Sequence, residues 1–289
     1  MTEKKFIEVC FAGLPNAGKS SLINKLVGDK ISIVSPKAQT TRDVIRGIFV
    51  EDNTQVVLVD TPGIFIPQKK RLLERKIIKN AWCGVEGVEV VCIVIDSICG
   101  INDAVKTTVN DIIKKNKRII FVLNKVDLVK KEKLLLLASE LEKIHPNFEK
   151  IFMVSAKNGD NVDLLKKYLL AIAPKGNWVF NDDEISDTPM KFMAAEITRE
   201  KLFLNLREDL PYSVDVVTDT WEELDNGSVK INQTIIVLKE SQKAIVVGKG
   251  GKMLKNISIS ARTAMESLFG KKVHLFLFVK VDGDWIGEF

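Results

Sequence analysis

Four cysteines, Cys10, Cys83, Cys92 and Cys99, are all that this 289-residue sequence contains, and none has CxxC spacing. A disulfide framework and a cysteine-based zinc site are therefore not indicated. Cys10 and Cys92 sit in apolar runs and read as buried free thiols, which suits a reducing compartment. No apolar run reaches the ~20 residues needed to span a bilayer. The N-terminus, Met1-Thr2-Glu3-Lys4-Lys5, lacks the apolar h-region of a secretory signal. No amphipathic membrane anchor is evident, and the expected location is the cytoplasm. Net charge is also small, +5, with 46% hydrophobic residues, so composition is that of an ordinary globular protein of one large or two modest domains.

What the sequence does have is Gly13-Leu14-Pro15-Asn16-Ala17-Gly18-Lys19-Ser20, preceded by the apolar run Val9-Cys10-Phe11-Ala12 and followed by the helical pattern Leu22-Ile23-Asn24-Lys25-Leu26. That is the strand–loop–helix setting of a phosphate-binding P-loop. Gly13 and Gly18 let the backbone curl so that its N–H groups converge on one anion. Asn16, Ala17, Ser20 and Ser21 belong to the same cradle, and the helix start adds its unpaired N–H groups. Lys19 reaches the β- and γ-phosphates, and the Ser20 hydroxyl ligates Mg²⁺.

A second strand, within residues 118–127, delivers Asn124, Lys125 and Asp127 to its C-terminal end, the edge at which open α/β sheets bind ligands. The Asp127 carboxylate accepts two hydrogen bonds from the N1–H and N2–H₂ edge of guanine, a donor pair that adenine lacks, or else it caps a strand-to-helix turn. Ser155-Ala156-Lys157 follows a third strand, Ile151 to Val154, and suits a loop whose backbone N–H meets guanine O6. Val56 to Val59 runs into Asp60-Thr61-Pro62-Gly63: Asp60 is placed to hold Mg²⁺ through water, and the Gly63 N–H to sense the γ-phosphate. Between these and the P-loop lies Gln39-Thr40-Thr41-Arg42-Asp43, where a threonine, Thr41 in preference to Thr40, closes over Mg²⁺. Lys19, Thr41 and Gly63 are thus the catalytic candidates; Ser20, Thr41 and Asp60 are the metal candidates. GTP, GDP and Mg²⁺ are the implied cofactors. The residue after Gly63 is Ile64, which cannot hydrogen-bond an attacking water, so slow intrinsic hydrolysis is expected.

The second half is neutral overall, yet residues 239–280 hold nine Lys/Arg against two Asp/Glu. Positive charge is focused there, as on a nucleic-acid footprint, although a solvated helix face or a contact with anionic lipid would carry the same charge. Residues 175–189, polar and acidic and ending in Pro189, read as a linker that Trp178 and Phe180 dock on a neighbour. A helix is expected from Phe192 to Leu206, a strand at 212–217, a turn at Asp225-Asn226-Gly227-Ser228, and a return strand from Val229 to Leu238. A short helix at Ser241 to Val247 leads to Gly248-Lys249-Gly250-Gly251, then a helix from Lys252 to Phe269 and a last strand from Val273 to Val281. The order is α-β-β-α-α-β, with a GxxG loop between two helices. Such a loop lets a nucleic-acid backbone approach closely. Lys249 and Lys252 are the leading phosphate-neutralising candidates, with Lys255 and Arg262 behind them. Ile245, Val246 and Leu254 either line an adjoining apolar groove or pack in the helix core.

The set GLPNAGKS, QTTRD, DTPG, NKVD and SAK, followed by the α-β-β-α-α-β unit with its GKGG loop, resembles the Era GTPase family over nearly the whole chain. The resemblance implies an α/β P-loop GTPase domain at 1–174, with a mostly parallel sheet and helices on both faces. A linker at 175–189 and an α+β type II KH domain at 190–289 follow. It further implies a monomeric, RNA-binding GTP switch that binds small-subunit (16S) ribosomal RNA near its 3′ end and assists 30S assembly. Gly248, Lys249, Gly250, Gly251, Lys252, Lys255 and Arg262 would form the RNA contact. Peripheral association with the inner face of the membrane is also implied; a membrane-associated regulatory GTPase without an RNA role is the competing expectation. Ser258 stands where the family usually has glycine.

Overall fold

A computed structural model describes residues 3–65, 72–208 and 210–285. Met1 and Thr2, and the last residues of the expected C-terminal domain, lie outside them. The chain forms two compact units, one of residues 1–32 and 41–187, the other of residues 33–40 and 188–289.

The first unit is built on a six-stranded sheet. Its strands are β1 (Lys5–Ala12), β2 (Ile45–Glu51), β3 (Thr54–Asp60), β4 (Val90–Asp96), β5 (Arg118–Asn124) and β6 (Lys150–Met153). They lie in the order β2-β3-β1-β4-β5-β6, with β2 antiparallel to β3 and every other pair parallel. The helices are α1 (Lys19–Val27), α2 (Leu72–Glu86), α3 (Asp103–Ile113), α4 (Lys131–Ile144) and α5 (Val162–Ile172). The sequence of β4, Val-Val-Cys-Ile-Val-Ile-Asp, shows no alternation because helices cover both faces of a parallel sheet, and all but Asp96 are buried. Cys10 and Cys92 sit fully buried in β1 and β4, and burial pushes both thiols well above their ordinary range. All four cysteines are free.

Residues 175–187 belong to this unit and fasten to the β2–β3 side of its sheet. The Trp178 indole N–H donates to the Lys5 and Asn53 carbonyls at 3.0 and 3.3 Å. Gln55, wholly buried in β3, donates to the Phe180 carbonyl at 2.8 Å and accepts from the Val179 and Phe180 amides. Further along, the Ile48 amide bonds the Ile185 carbonyl and the Ser186 hydroxyl bonds the Arg46 carbonyl. These contacts cover the otherwise open edge strand β2.

The second unit carries α6 (Met190–Asn205), β7 (Val214–Glu223), β8 (Val229–Val237), α7 (Glu240–Val247), α8 (Lys252–Phe269) and β9 (Val273–Val281). Its sheet has the order β7-β8-β9, the first pair antiparallel and the second parallel. β8 alternates buried and half-buried residues along its whole length, one face against the helices and one outward. Residues 33–40 join this unit because Lys37 donates its ammonium to the Phe203 and Leu206 carbonyls at the end of α6, and the Val34 amide bonds the Glu200 carboxylate. A cation on the last carbonyls of a helix satisfies groups that have no partner within it.

Replacing Gln55 by leucine removes the hydrogen bonds to residues 179 and 180 at similar volume. A loss of about 1–2 kcal/mol in unfolding free energy is expected, read from the urea midpoint. A loss below a few tenths would show that water replaces the buried amide.

Candidate functional site

The C-terminal ends of β1, β3 and β5 bring the sequence-picked residues of the first unit to one edge of the sheet. The loop after β1 wraps into the start of α1, whose cap Gly18 has φ +89°. A Cβ there would sit 2.3 Å from the Asn124 side-chain nitrogen, so only glycine lets the loop and β5 approach. Gly63 is under a similar constraint: a Cβ would come within 2.7 Å of Pro15 backbone atoms. The segment after β3 therefore lies directly on the P-loop, an approach closed by the Ile64 amide bonding the Gly13 carbonyl at 3.0 Å.

Lys19 is buried, and its ammonium donates to the Gly13 and Leu14 carbonyls at 3.3 and 3.1 Å. Burial pulls its pKa down to about 8, against an opposing pull from Asp60. Asp60 is wholly buried, and neither carboxylate oxygen has a hydrogen-bond partner among the described residues. Burial raises its pKa, while the Ser20 and Ser32 hydroxyls and the Lys19 charge act in the other direction. The Ser20 and Thr41 hydroxyls lie 2.9 Å apart. Thr40 turns away, bonding the Lys37 carbonyl and the Ser35 hydroxyl. That separation of roles is why Thr41, and not Thr40, belongs with Ser20. Among the described residues no cluster of three His, Cys, Asp or Glu side chains is present. The donor set is instead two hydroxyls and one carboxylate, all hard oxygens. It fits a hydrated Mg²⁺, which takes one or two carboxylates, keeps several waters and draws the rest from phosphate.

Asn124 is buried at the end of β5. Its amide nitrogen donates to the Ala17 carbonyl at 2.8 Å and its oxygen accepts from the Ala156 amide at 3.0 Å. It braces the P-loop and the 155–157 loop against each other. Lys125 adopts a left-handed backbone, φ +63°, and pairs with Asp96 at 2.6 Å. The Asp127 carboxylate and Lys157 are exposed at the same edge, while Ser155 is buried and receives the Asn158 amide on its hydroxyl. Ser21 is half-buried in the first turn of α1, and Asn16 is exposed at the tip of the loop. Ile64 packs into the apolar core with Ala12, Ile93 and Ile95, against Leu14, leaving no polar side chain at that position for an attacking water.

In the second unit, Gly248, Gly250 and Gly251 all have positive φ, and Lys249, Lys252, Lys255 and Arg262 are exposed along the loop and α8. A groove of about 360 Å³ runs between α8 and the edge strand β9, lined by Gly251, Leu254, Lys255 and Ser258 on one side and residues 275–278 on the other. Of the apolar candidates, Leu254 lines the groove. Val246 is buried in the core instead, and Ile245 is exposed outside the groove lining. Phe276 and Phe278 were missed by sequence reasoning. They are 48% and 59% exposed on β9, which the sequence offers as an apolar run broken only by His274, Val-His-Leu-Phe-Leu-Phe-Val. The available signal was that a strand at a sheet edge has one face too many for such a run.

A phosphate cradle at the edge of a parallel sheet, joined to a GxxG-bearing α+β unit, defines a P-loop GTPase carrying a KH domain. Family models agree: residues 8–125 match a model described as 50S ribosome-binding GTPase, and residues 209–286 a KH domain. GTPase Era of Afipia carboxidovorans is 47% identical over 278 residues, covering 96% of this chain and 89% of that protein. The Era of Rickettsia conorii is 45% identical over 285 residues, covering 99% and 83%. Two solved structures superpose over 98% of this chain and 95% of theirs: an Aquifex aeolicus Era variant bound to GDP·AlF₄⁻ (TM-score 0.93, 37% identity), and Era with MgGDPNP and nucleotides 1506–1542 of 16S ribosomal RNA (TM-score 0.94, 38% identity). The chain belongs to the Era GTPase family.

Because burial lowers the Lys19 pKa to about 8, the native state binds fewer protons than the unfolded chain between that value and the ordinary lysine range. Stability of the nucleotide-free protein relative to Lys19→Met should therefore rise with pH, by up to about 1.4 kcal/mol per unit between about pH 8 and 10. Urea midpoints of both proteins across this range check it. A flat or falling difference would mean that Lys19 is not desolvated.

Proposed function

We propose that this chain is a Mg²⁺-dependent GTPase whose nucleotide cycle governs binding to the 3′ region of 16S ribosomal RNA during small-subunit assembly. The observation that carries the reading is the presence on one chain of a buried phosphate cradle and a basic GxxG groove. Both are matched over 98% of the length by an Era structure holding MgGDPNP and 16S ribosomal RNA.

In this reading residues 1–174 are the GTPase domain, 175–189 the connecting segment and 190–289 the KH domain. The P-loop amides and Lys19 hold the phosphates, with the ammonium exchanging the Gly13 and Leu14 carbonyls for phosphate oxygens. Ser20 and Thr41 would hold Mg²⁺ directly and Asp60 through water; the cation neutralises charge that develops between the β- and γ-phosphates. Gly63, packed against the P-loop, presents its N–H toward the γ-phosphate. Asp127 reads the guanine edge, while Asn124 keeps the two flanking loops in register. Ile64 is committed to the core and Gly63 carries no side chain, so neither orients the attacking water, and intrinsic turnover is slow.

In the KH domain, Lys249 and Lys252 beside the loop, and Lys255 and Arg262 along α8, neutralise RNA phosphates. Unstacked bases enter the groove against Leu254, Phe276 and Phe278, where aromatic rings give stacking surfaces. Coupling is supported by the chain path: residues 33–40, fastened to α6 through Lys37 and Val34, run directly into Thr41. A protein of this kind acts as a monomer in the cytoplasm. Among the described residues no helix is long and apolar enough to cross a membrane.

Nucleotide affinity and GTP hydrolysis measured with and without an oligonucleotide of the ribosomal 3′ end test the coupling, which must change one or the other; both unchanged would refute it. Gly250→Asp adds bulk and negative charge on the phosphate track, and RNA affinity should fall at least about tenfold with nucleotide binding intact. Undiminished RNA binding by that variant would place the RNA elsewhere.

A further inference from the structure

Ser32 is wholly buried, yet its hydroxyl oxygen has no hydrogen-bond partner among the described residues. Its backbone, by contrast, is tightly held. The Asn24 amide oxygen accepts from both the Ile31 and Ser32 amides at 3.0 Å, and its nitrogen donates to the Ser32 carbonyl at 2.8 Å. Asn24 lies one helical turn beyond Ser20 on the same face of α1, so one helix positions both serines. The Ser32 hydroxyl lies close enough to act on the buried Asp60 carboxylate, although the two do not close a full hydrogen bond. Three unpartnered oxygens, the Ser32 hydroxyl and both of the Asp60 carboxylate, thus lie near the Ser20–Thr41 pair. A buried hydroxyl that bonds nothing is costly, and alanine would fill the same space without that cost.

We propose that Ser32 is a positioning residue for the Mg²⁺ of the nucleotide site, holding one of the cation's water ligands against Asp60. The hydroxyl is suited to this because it both accepts and donates: it takes a hydrogen bond from the polarised water and gives one to the carboxylate. Mg²⁺ dehydrates reluctantly and keeps several waters, so ordering them is how a protein adds affinity beyond its direct ligands. The three bonds from Asn24 keep the hydroxyl in place while the segment that follows responds to nucleotide. The inference rests on the reading of this centre as a Mg²⁺–nucleotide site.

The test is release of a fluorescent GDP analogue from the full-length protein as free Mg²⁺ is varied. Wild-type release that slows with Mg²⁺ supports the underlying reading; release indifferent to Mg²⁺ would overturn that reading itself. Given a Mg²⁺ response, Ser32→Ala should raise the concentration for half-maximal slowing by about tenfold, with release in excess EDTA unchanged. The melting temperature of the nucleotide-free variant should be equal to or above that of wild type, because no hydrogen bond is lost. An unshifted Mg²⁺ midpoint overturns the proposal. Faster release in EDTA overturns it too, because the hydroxyl would then be supporting the nucleotide or the loop. Should Ser32→Ala fold poorly, Ser32→Cys, of similar size and with a weaker donor, should shift the midpoint in the same direction by less; no shift would again be fatal.

Discussion

Two charges that the protein alone cannot satisfy organise the first unit. Lys19 and Asp60 are both buried at the C-terminal edge of the sheet, the lysine resting on backbone carbonyls and the carboxylate on nothing within hydrogen-bond geometry. Burying an ion without full compensation is expensive, and burial accordingly drives the two pKa values toward the neutral forms. In the proposed reading a triphosphate with its cation would supply what is missing, anion to Lys19 and metal-bound water to Asp60. Affinity for Mg²⁺–nucleotide would then be partly the relief of a cost already borne by the fold.

The remaining geometry serves that centre. Gly18 and Gly63 let β5 and the segment after β3 close on the P-loop. Asn124 then ties the P-loop to the 155–157 loop, so the two loops are held by a single side chain. Asn24 does the same one layer out, tying Ile31 and Ser32 to α1. Precise placement of this sort is what phosphoryl transfer demands, since the protein contributes positioning and charge and no covalent chemistry.

Much of this was legible in the sequence because phosphate loops and guanine-reading strands need particular residues at particular spacings. The last helix and strand of the KH domain were legible because their periodicities are clean: Lys252–Phe269 and Val273–Val281 begin and end where the pattern does, whereas the first strand, expected at 212–217, runs over Val214–Glu223. Other features were not. Asn124 stands out from sequence as a nucleotide-site residue, and only the approach of two loops reveals it as a brace between them. Val246 and Leu254 are equally apolar, and one is core while the other lines the groove. Spacing alone does not show which face of α7 or α8 meets the sheet. Phe276 and Phe278 were hidden in an apolar run that reads as wholly buried until β9 is found at an edge. The fastening of residues 179 and 180 to β3 runs through Gln55, a buried polar residue with no motif around it.

A cradle that senses the third phosphate and a groove suited to single-stranded RNA gain meaning only if each alters the free energy of the other, and such linkage is reciprocal. The most direct measurement is the equilibrium affinity of the full-length protein for a 16S ribosomal 3′-end oligonucleotide, compared between saturating Mg²⁺–GDP and a Mg²⁺-bound non-hydrolysable GTP analogue. A switch predicts tighter RNA binding in the triphosphate state, by about fivefold or more. Equal affinity in the two states would contradict the account.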